Sequence, residues 1–177
     1  MVVNAGGPPL HPTFGPPVGG LSGELSGGTY AAAMTVQGQY APSAERWVRD
    51  QVEAIEAAGD TAAVGIEGRS VVLLTMLGAS SGLVRKVPLM RVEHDGVYAA
   101  VGSKGGAPDD PRWVANLLAH PDIDLMDGTR SWPVRARLIE GAERELWWPR
   151  AVAAFPNYAD YQRRTARQIP LFLLEPR

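Results

Sequence analysis

Several features that commonly carry function are absent from this 177-residue sequence. It contains no cysteine, which excludes disulfides and cysteine-ligated metals. Its 17 basic and 19 acidic residues give a net charge of −2, so no general attraction to nucleic acid is expected. No apolar run approaches the roughly 20 residues that span a bilayer, and the N-terminus does not resemble a signal peptide. We therefore expect a cytoplasmic protein with no nucleic-acid partner.

Residue patterns of the common catalytic centres are also missing. The three histidines, His11, His94 and His120, are dispersed and show no metal-ligand spacing. No serine lies in a nucleophile elbow, and the stretch "GSKGGA" does not have the G-x-G-x-x-G spacing of a dinucleotide-binding loop. Any chemistry is therefore expected to come from a bound cofactor, with no metal site.

The N-terminal part of the chain differs in composition from the rest. Residues 1–40 are rich in glycine and proline, most densely up to residue 33, and have no hydrophobic period, so we predict a disordered segment there. Residues 41–177 are predicted to form one domain, because they alternate between apolar strands, turns and amphipathic helices.

Three consecutive strands are predicted in the first half of that domain. The runs "SVVLLTML", "LVRKVPLMRVE" and "VYAAVGS" are separated by a turn that ends at Gly82 and by the hairpin signal Asp95-Gly96. We expect an antiparallel meander, in which the strand with Arg85 and Lys86 lies beside the one that ends at Ser103.

Helices and further strands complete the predicted fold. A helix from Ser43 to Gly59 is expected to pack Trp47, Val48, Val52 and Ile55 on the core, or to cover a pocket mouth or touch a membrane surface. A second helix begins near Pro111, with Trp113, Leu117 and Leu118 on one face and Asp109 and Asp110 at its positive end. A second hairpin at Asp127-Gly128, a helix that Pro149 kinks or divides, and a final apolar strand follow. About six hairpin-linked strands with inserted helices indicate an α+β barrel.

Two groups of residues are candidates for an anion site. Glycines around Ser103 and Lys104 can form a nest of backbone N–H groups just before a helix N-terminus. A plain turn with a solvated lysine explains the same pattern. Arg85 and Lys86 would add cations along one groove, although neighbouring strand residues point to opposite faces. Phe155, Tyr158 and Tyr161, spaced by three, are either core residues or one wall of a pocket.

The sequence from about Trp47 to the C-terminus resembles the deazaflavin-dependent nitroreductase family, split β-barrel oxidoreductases of actinobacteria that use coenzyme F420. The resemblance rests on "GASSGLVRKVPLMRVEHDG", "SKGGAPDDPRWVANL", "WWPRAVAAFPNYADYQRRT" and "QIPLFLLEP". It implies a split β-barrel with flanking helices and reduced F420 as hydride donor. The acceptor would be an electron-poor small molecule, such as a quinone, an enone or a nitroaromatic.

The resemblance also assigns residues. Those implied to bind the cofactor are Gly82, Arg85, Lys86, Pro88, Leu89, Ser103, Lys104, Gly105, Trp113 and Asn116. Those implied to act near the acceptor are Tyr158, Tyr161 and Ser103, while Phe155 stands where the family has another tyrosine. Residues 78–82 read G-A-S-S-G where the family commonly reads G-R-K-T-G, so two cations that would face the cofactor's anionic tail are absent.

Two alternatives to an F420-dependent reductase remain open at this point. The same barrel could bind F420, flavin, haem or a lipid without catalysis. It could also be an FMN-dependent oxidase, although the Arg/Lys phosphate pattern of that group is not obvious in this sequence, which makes FMN less expected than F420. The resemblance further implies a homodimer. Peripheral membrane contact is expected only if the acceptor is a lipid quinone.

Overall fold

A computed structural model describes residues 34–177, and it contains a single curled antiparallel sheet with helices around it. The helices and strands, in chain order, are α1 (Arg46–Ala58), β1 (Val71–Leu77), β2 (Val84–Met90), β3 (Val92–His94), β4 (Val97–Val101), α2 (Arg112–Ala119), β5 (Asp122–Asp127), β6 (Arg130–Ile139), α3 (Gly141–Ala154), α4 (Asn157–Arg164) and β7 (Leu171–Pro176). Short 3-10 turns lie at Thr61–Ala63 and Lys104–Gly106.

The order of the strands shows how the sheet closes. It is β2-β1-β5-β6-β7-β4-β3, so β2 and β3 are its two edges, yet only Arg91 separates them along the chain. The sheet must therefore curl until both edges meet in one bent strand. A barrel whose closure is interrupted in this way, where β2 and β4 do not pair, is a split β-barrel. The predicted α+β class and split β-barrel are therefore confirmed.

The predicted meander is wrong in one respect. The run "LVRKVPLMRVE" forms two strands, because β2 pairs with β1 whereas β3 pairs with β4. Arg85 and Lys86 therefore do not lie in a strand paired with the one that leads to Ser103. Within residues 34–177, the edge of β2 that faces away from β1 pairs with no strand beyond the bridge between Val84 and Tyr40, and the rest of this open edge forms part of the site described below.

Both predicted hairpin turns are present. Asp95 and Gly96 adopt φ values of 51° and 80°, which are the positive values that a tight two-residue turn requires. The β5–β6 hairpin turns through Gly128, directly after Asp127. Pro133 pairs with Asp124 of β5 on one side. It precedes the part of β6 that pairs with β7, so the N–H that proline lacks removes no hydrogen bond from the β6–β7 ladder.

The helices correct several details of the prediction. Helix α1 begins at Arg46 and has no side-chain cap, because Ser43 Oγ instead accepts a bond from the Glu45 N–H. Trp47 is 53% exposed, although Val48, Val52 and Ile55 pack on β1 as expected. In α2, Leu118 is 59% exposed and does not share the buried face of Trp113 and Leu117.

Two further features of the helices bear on the site. Helix α3 continues through Pro149, so the residue neither ends nor divides it. Asp109 and Asp110 do not cap α2, whose N-cap is Pro111; their carboxylates pair with Lys104 and Arg167 instead. The acidic pair therefore belongs to the loop before the helix.

The chain before α1 is attached to the barrel at two places. The buried carboxylate of Asp124 accepts hydrogen bonds from the N–H groups of Thr35 and Val36, both at 2.8 Å. Tyr40 then forms a parallel bridge with Val84 at the open edge of β2. Residues 35–41 therefore contact the barrel, although almost all of them lie before the predicted domain boundary at residue 40.

Candidate functional site

A groove of about 1060 Å³ opens where β2 and β4 separate. Its walls are the open edge of β2, the turn between β1 and β2, the loop after β4, the start of α2, and the α3–α4 junction. Trp47 and Val48 of α1 also line it. Helix α1 thus packs on the core, as expected from the sequence, and forms part of the groove wall.

The open edge of β2 presents backbone groups to the groove. The Val84 N–H donates to Gln39 and its carbonyl accepts from Ala41, at 2.9 Å each, so both groups point away from β1. Because alternate residues of a strand share this direction, Lys86, Pro88 and Met90 also turn their backbone groups outward. Pro88 lacks an N–H and is suited to such an unpaired edge. The groove wall therefore offers carbonyl acceptors and the N–H donors of Lys86 and Met90.

The turn between β1 and β2 is fixed from α2. Asn116 Oδ1 accepts the Ala79 N–H at 2.9 Å, and Gly82 closes the turn with φ 64° and an N–H bond to the Gly78 carbonyl at 2.9 Å. Within residues 34–177 the N–H groups of Ser80 and Ser81 have no acceptor. The turn therefore offers neutral hydrogen-bond donors at the place where the resemblance implies two cations.

The loop after β4 has an unusual backbone. Lys104, Gly105 and Gly106 have φ values of 46°, 64° and 82°, so three successive residues are left-handed. The N–H groups of Lys104 and Gly105 have no acceptor in the described part of the chain. Consecutive N–H groups released in this way form an anion-binding concavity. The geometry supports the nest expected here over a plain turn.

One arginine that the sequence analysis did not single out holds this loop. Arg167 donates from Nε to the Ala107 carbonyl at 2.9 Å and from Nη2 to the carbonyls of Gly102 and Ser103 at 3.1 and 3.0 Å. Its Nη1 pairs with Asp110 at 2.6 Å. A lone arginine in a connecting segment carries no sequence signal, so only the structure shows this clamp.

The cations along the groove differ in how far they are engaged. Arg85 donates to the carbonyls of Ala41 and Pro42 at 3.1 and 3.3 Å, and Lys86 pairs with Glu56 of α1. Lys104 pairs with Asp109, and this contact lowers the pKa of the carboxyl. Arg112, at the start of α2, makes no ion pair within residues 34–177. Arg85 and Lys86 contact different partners, yet both line the groove, although the alternation of strand residues predicted that they would face opposite sides of the strand.

The aromatic residues spaced by three meet in the wall of the groove. Phe155 caps α3, while Tyr158 and Tyr161 belong to α4, so one helix does not carry all three. Their ring centroids are 5.1 to 6.4 Å apart. Tyr158 is 4% exposed and burial raises its pKa well above the usual value, an effect to which Tyr161 adds. Because its pKa is raised, the Tyr158 hydroxyl is neutral, and it makes no hydrogen bond within the described residues, so it is available as a donor.

The groove brings together nearly all of the residues predicted for the site. Those that line it are Arg85, Lys86, Pro88, Leu89, Ser103, Lys104, Gly105, Trp113, Asn116, Tyr158 and Tyr161. Gly82 does not line it and acts through the shape of the turn. Met90 and Trp47, which were not predicted for the site, also form part of its surface.

The size of the groove and its polar groups suit a large, anionic, ring-containing ligand. Its volume falls at the upper end of the range for ligand sites. The open strand edge can bind the polar edge of a flat ring, and the N–H groups of the loop after β4 and of the β1–β2 turn can bind anionic groups. No cluster of metal-ligating side chains occurs within residues 34–177, and no helix there is long and apolar enough to cross a membrane.

Comparison with known proteins shows the family. Two Mycobacterium tuberculosis proteins are similar: one named a putative F420H(2)-dependent quinone reductase is 33% identical over 105 residues, 59% of this chain and 88% of its own. The other, named an F420H(2)-dependent quinone reductase, is 32% identical over 108 residues, 59% of this chain and 72% of its own.

Solved structures agree with these relatives. A structure described as a domain-swapped dimer is 50% identical with a TM-score of 0.60, over 73% of this chain and 97% of that one. An F420-H2 dependent reductase, FDR-A, is 52% identical with a TM-score of 0.57, over 59% and 93%. The family model described as F420H(2)-dependent quinone reductase matches residues 47–176. The chain therefore belongs to the F420H(2)-dependent quinone reductase family.

Proposed function

We propose that the protein reduces a quinone with F420H2 bound in the groove. The observation that supports this most strongly is the groove itself, whose wall combines backbone N–H groups that have no acceptor within residues 34–177 with an aromatic cluster of Phe155, Tyr158 and Tyr161. Such a site can bind a donor and an acceptor side by side. Family membership makes the protein an oxidoreductase with reduced F420 as its hydride donor.

The polar part of the groove wall would bind the cofactor. The groups suited to its anionic tail are the N–H groups of Lys104 and Gly105, those of Ser80 and Ser81, and Arg112, which makes no ion pair within residues 34–177. The open backbone edge at Lys86 and Met90 would bind the ring. Asn116 keeps the β1–β2 turn in place through its bond to Ala79. Because most of the groove's cations already have partners, neutral donors carry much of this recognition.

The aromatic part of the groove wall would bind the acceptor. When bound, F420H2 supplies a hydride, and a quinone that accepts it also takes up a proton to become a hydroquinone. The buried Tyr158 ring orients the acceptor, and its neutral hydroxyl donates a hydrogen bond to the quinone oxygen. Tyr161 and Ser103 are the further groups in reach of the same space. The apolar wall excludes water and so favours transfer to the acceptor.

The test is a steady-state assay with F420 that glucose-6-phosphate dehydrogenase has reduced, and menadione as acceptor. We expect oxidation of F420H2 that depends on the enzyme and saturates with both substrates. Enones and nitroaromatics test how broad the acceptor range is. Parallel fluorescence titrations with F420 and FMN identify the cofactor. Tight F420 binding without turnover on any acceptor would favour a non-catalytic binder and refute the proposal.

Two further expectations concern the assembly and the surroundings. The similar structure described as a domain-swapped dimer supports a homodimer, which sedimentation velocity of the full chain would detect. Peripheral membrane contact stays a prediction, and flotation with phospholipid vesicles would check it.

A further inference from the structure

We propose that Arg167 is the positioning residue that shapes the loop of the cofactor site, an inference that rests on the proposed function. Arg167 does not line the groove. Its side chain is only 16% exposed, and its guanidinium binds three backbone carbonyls and one carboxylate of the segment between β4 and α2. One planar group therefore fixes both ends of the loop.

The loop needs such a clamp because its backbone is unfavourable. A residue with a side chain is seldom left-handed, and here Lys104 adopts φ 46° before two left-handed glycines. Strained conformations of this kind persist only where the surroundings over-determine them. By binding the carbonyls of Ser103 and Ala107, on either side of the left-handed residues, Arg167 supplies that constraint.

Arg167 is itself held in place from the opposite side. Gln162 of α4 donates to the Arg167 carbonyl at 2.8 Å and accepts the Ile169 N–H at 3.0 Å. Arg144 of α3 donates to the Ile169 carbonyl at 3.2 Å. The connection between α4 and β7 is thus tied to the two helices that carry the aromatic cluster.

The loop also contacts α4, which carries Tyr158 and Tyr161, directly. The backbone of Gly106 lies so close to α4 that a Cβ there would be 2.7 Å from the Tyr161 carbonyl oxygen. Arg167 on one side and α4 on the other therefore set the distance between the N–H groups of the loop and the tyrosines. Through these contacts, Arg167 would orient the cofactor-binding N–H groups toward the acceptor site.

The test compares three variants of the full chain. R167K keeps the charge but loses the planar fork, so one ammonium cannot reproduce the contacts to Gly102, Ser103 and Ala107. D110N removes the ionic partner and leaves the carbonyl contacts. R137K is the control, since Arg137 makes similar paired contacts with Glu143 and Glu175 away from the groove.

Two measurements are made on each variant. In the ligand-free protein, hydrogen exchange of the amides of residues 102–107 reports the loop itself. With ligand, F420 affinity is measured by fluorescence, and KM is measured for F420H2 and for menadione. For R167K we expect at least tenfold faster loop exchange, at least tenfold weaker F420 binding, and a menadione KM within twofold. D110N should change both loop exchange and affinity two- to fivefold, and R137K neither.

Each other outcome decides the question. Unchanged loop exchange or F420 affinity within twofold in R167K would overturn the inference, as would an equal change of KM for both substrates. If R167K does not fold, D110N decides, and wild-type behaviour of D110N would count against the clamp. If the wild type itself does not bind F420, the proposed function fails, while the exchange measurement still shows whether Arg167 holds the loop.

Discussion

Replacing Gly106 with alanine tests the close approach between the groove loop and α4. The added methyl group would lie 2.7 Å from the Tyr161 carbonyl oxygen and 3.1 Å from Arg164 Cβ. The left-handed backbone at φ 82° costs an alanine about 1–2 kcal/mol, and forcing a methyl group into a packed contact costs about 1–3 kcal/mol more. We therefore expect Gly106→Ala to lower the free energy of unfolding by about 2–5 kcal/mol.

Gly96→Ala is the matched control. Gly96 has φ 80°, nearly the same as Gly106, but nothing lies within 4 Å of the position its Cβ would take. The control should therefore lose only the backbone component, about 1–2 kcal/mol. Urea unfolding of the wild type and both variants, with a common slope, gives the comparison. Equal destabilisation by the two substitutions would show that the loop does not press on α4, and the reasoning would fail.

Four further predictions concern the site and the segment before α1. Tyr158→Phe should reduce kcat for menadione about tenfold; because the hydroxyl has no partner within residues 34–177, urea unfolding should show stability within about 0.5 kcal/mol of wild type. Since burial raises the pKa of Tyr158 above its unfolded value near 10, its contribution to stability is complete below pH 10 and declines above it, which unfolding at pH 9 to 11 would detect. Asp124→Asn leaves the N–H of Thr35 or Val36 without an acceptor, so we expect a loss of about 1–3 kcal/mol and faster proteolysis before residue 41. Lys104→Ala should weaken F420 binding several-fold in fluorescence titration. An unchanged affinity would show that the loop is only a turn and does not bind the cofactor.

Local signals in the sequence predicted the local structure well. Asp95-Gly96 and Asp127-Gly128 marked both hairpins, because tight turns need residues that tolerate positive φ. The residue types around Ser103 and Lys104 predicted a loop with free N–H groups, which is present. The resemblance brought together residues that do line one groove, although the binding and catalytic roles of Tyr158 and its neighbours stay predictions.

What the sequence did not reveal depends on contacts between distant segments. The division of one apolar run at Arg91 into two strands depends on the partners available on either side, and no local pattern distinguishes it from a single strand. Arg167 and Asp124 are ordinary charged residues in the sequence. Their roles follow only from backbone groups that the fold brings within 3.1 Å of them.

The position of β7 in the sheet constrains how the protein can be assembled. It lies between β6 and β4 and pairs with both, although β4 ends at Val101 and α2, β5, β6, α3 and α4 intervene. During synthesis, β4 and β6 must therefore remain with exposed edges until the chain through residue 176 is available. Nascent chains that end before residue 176 would expose two unpaired strand edges, those of β4 and β6, with which another chain can pair. Early association with a chaperone or a second chain is therefore favoured at this stage.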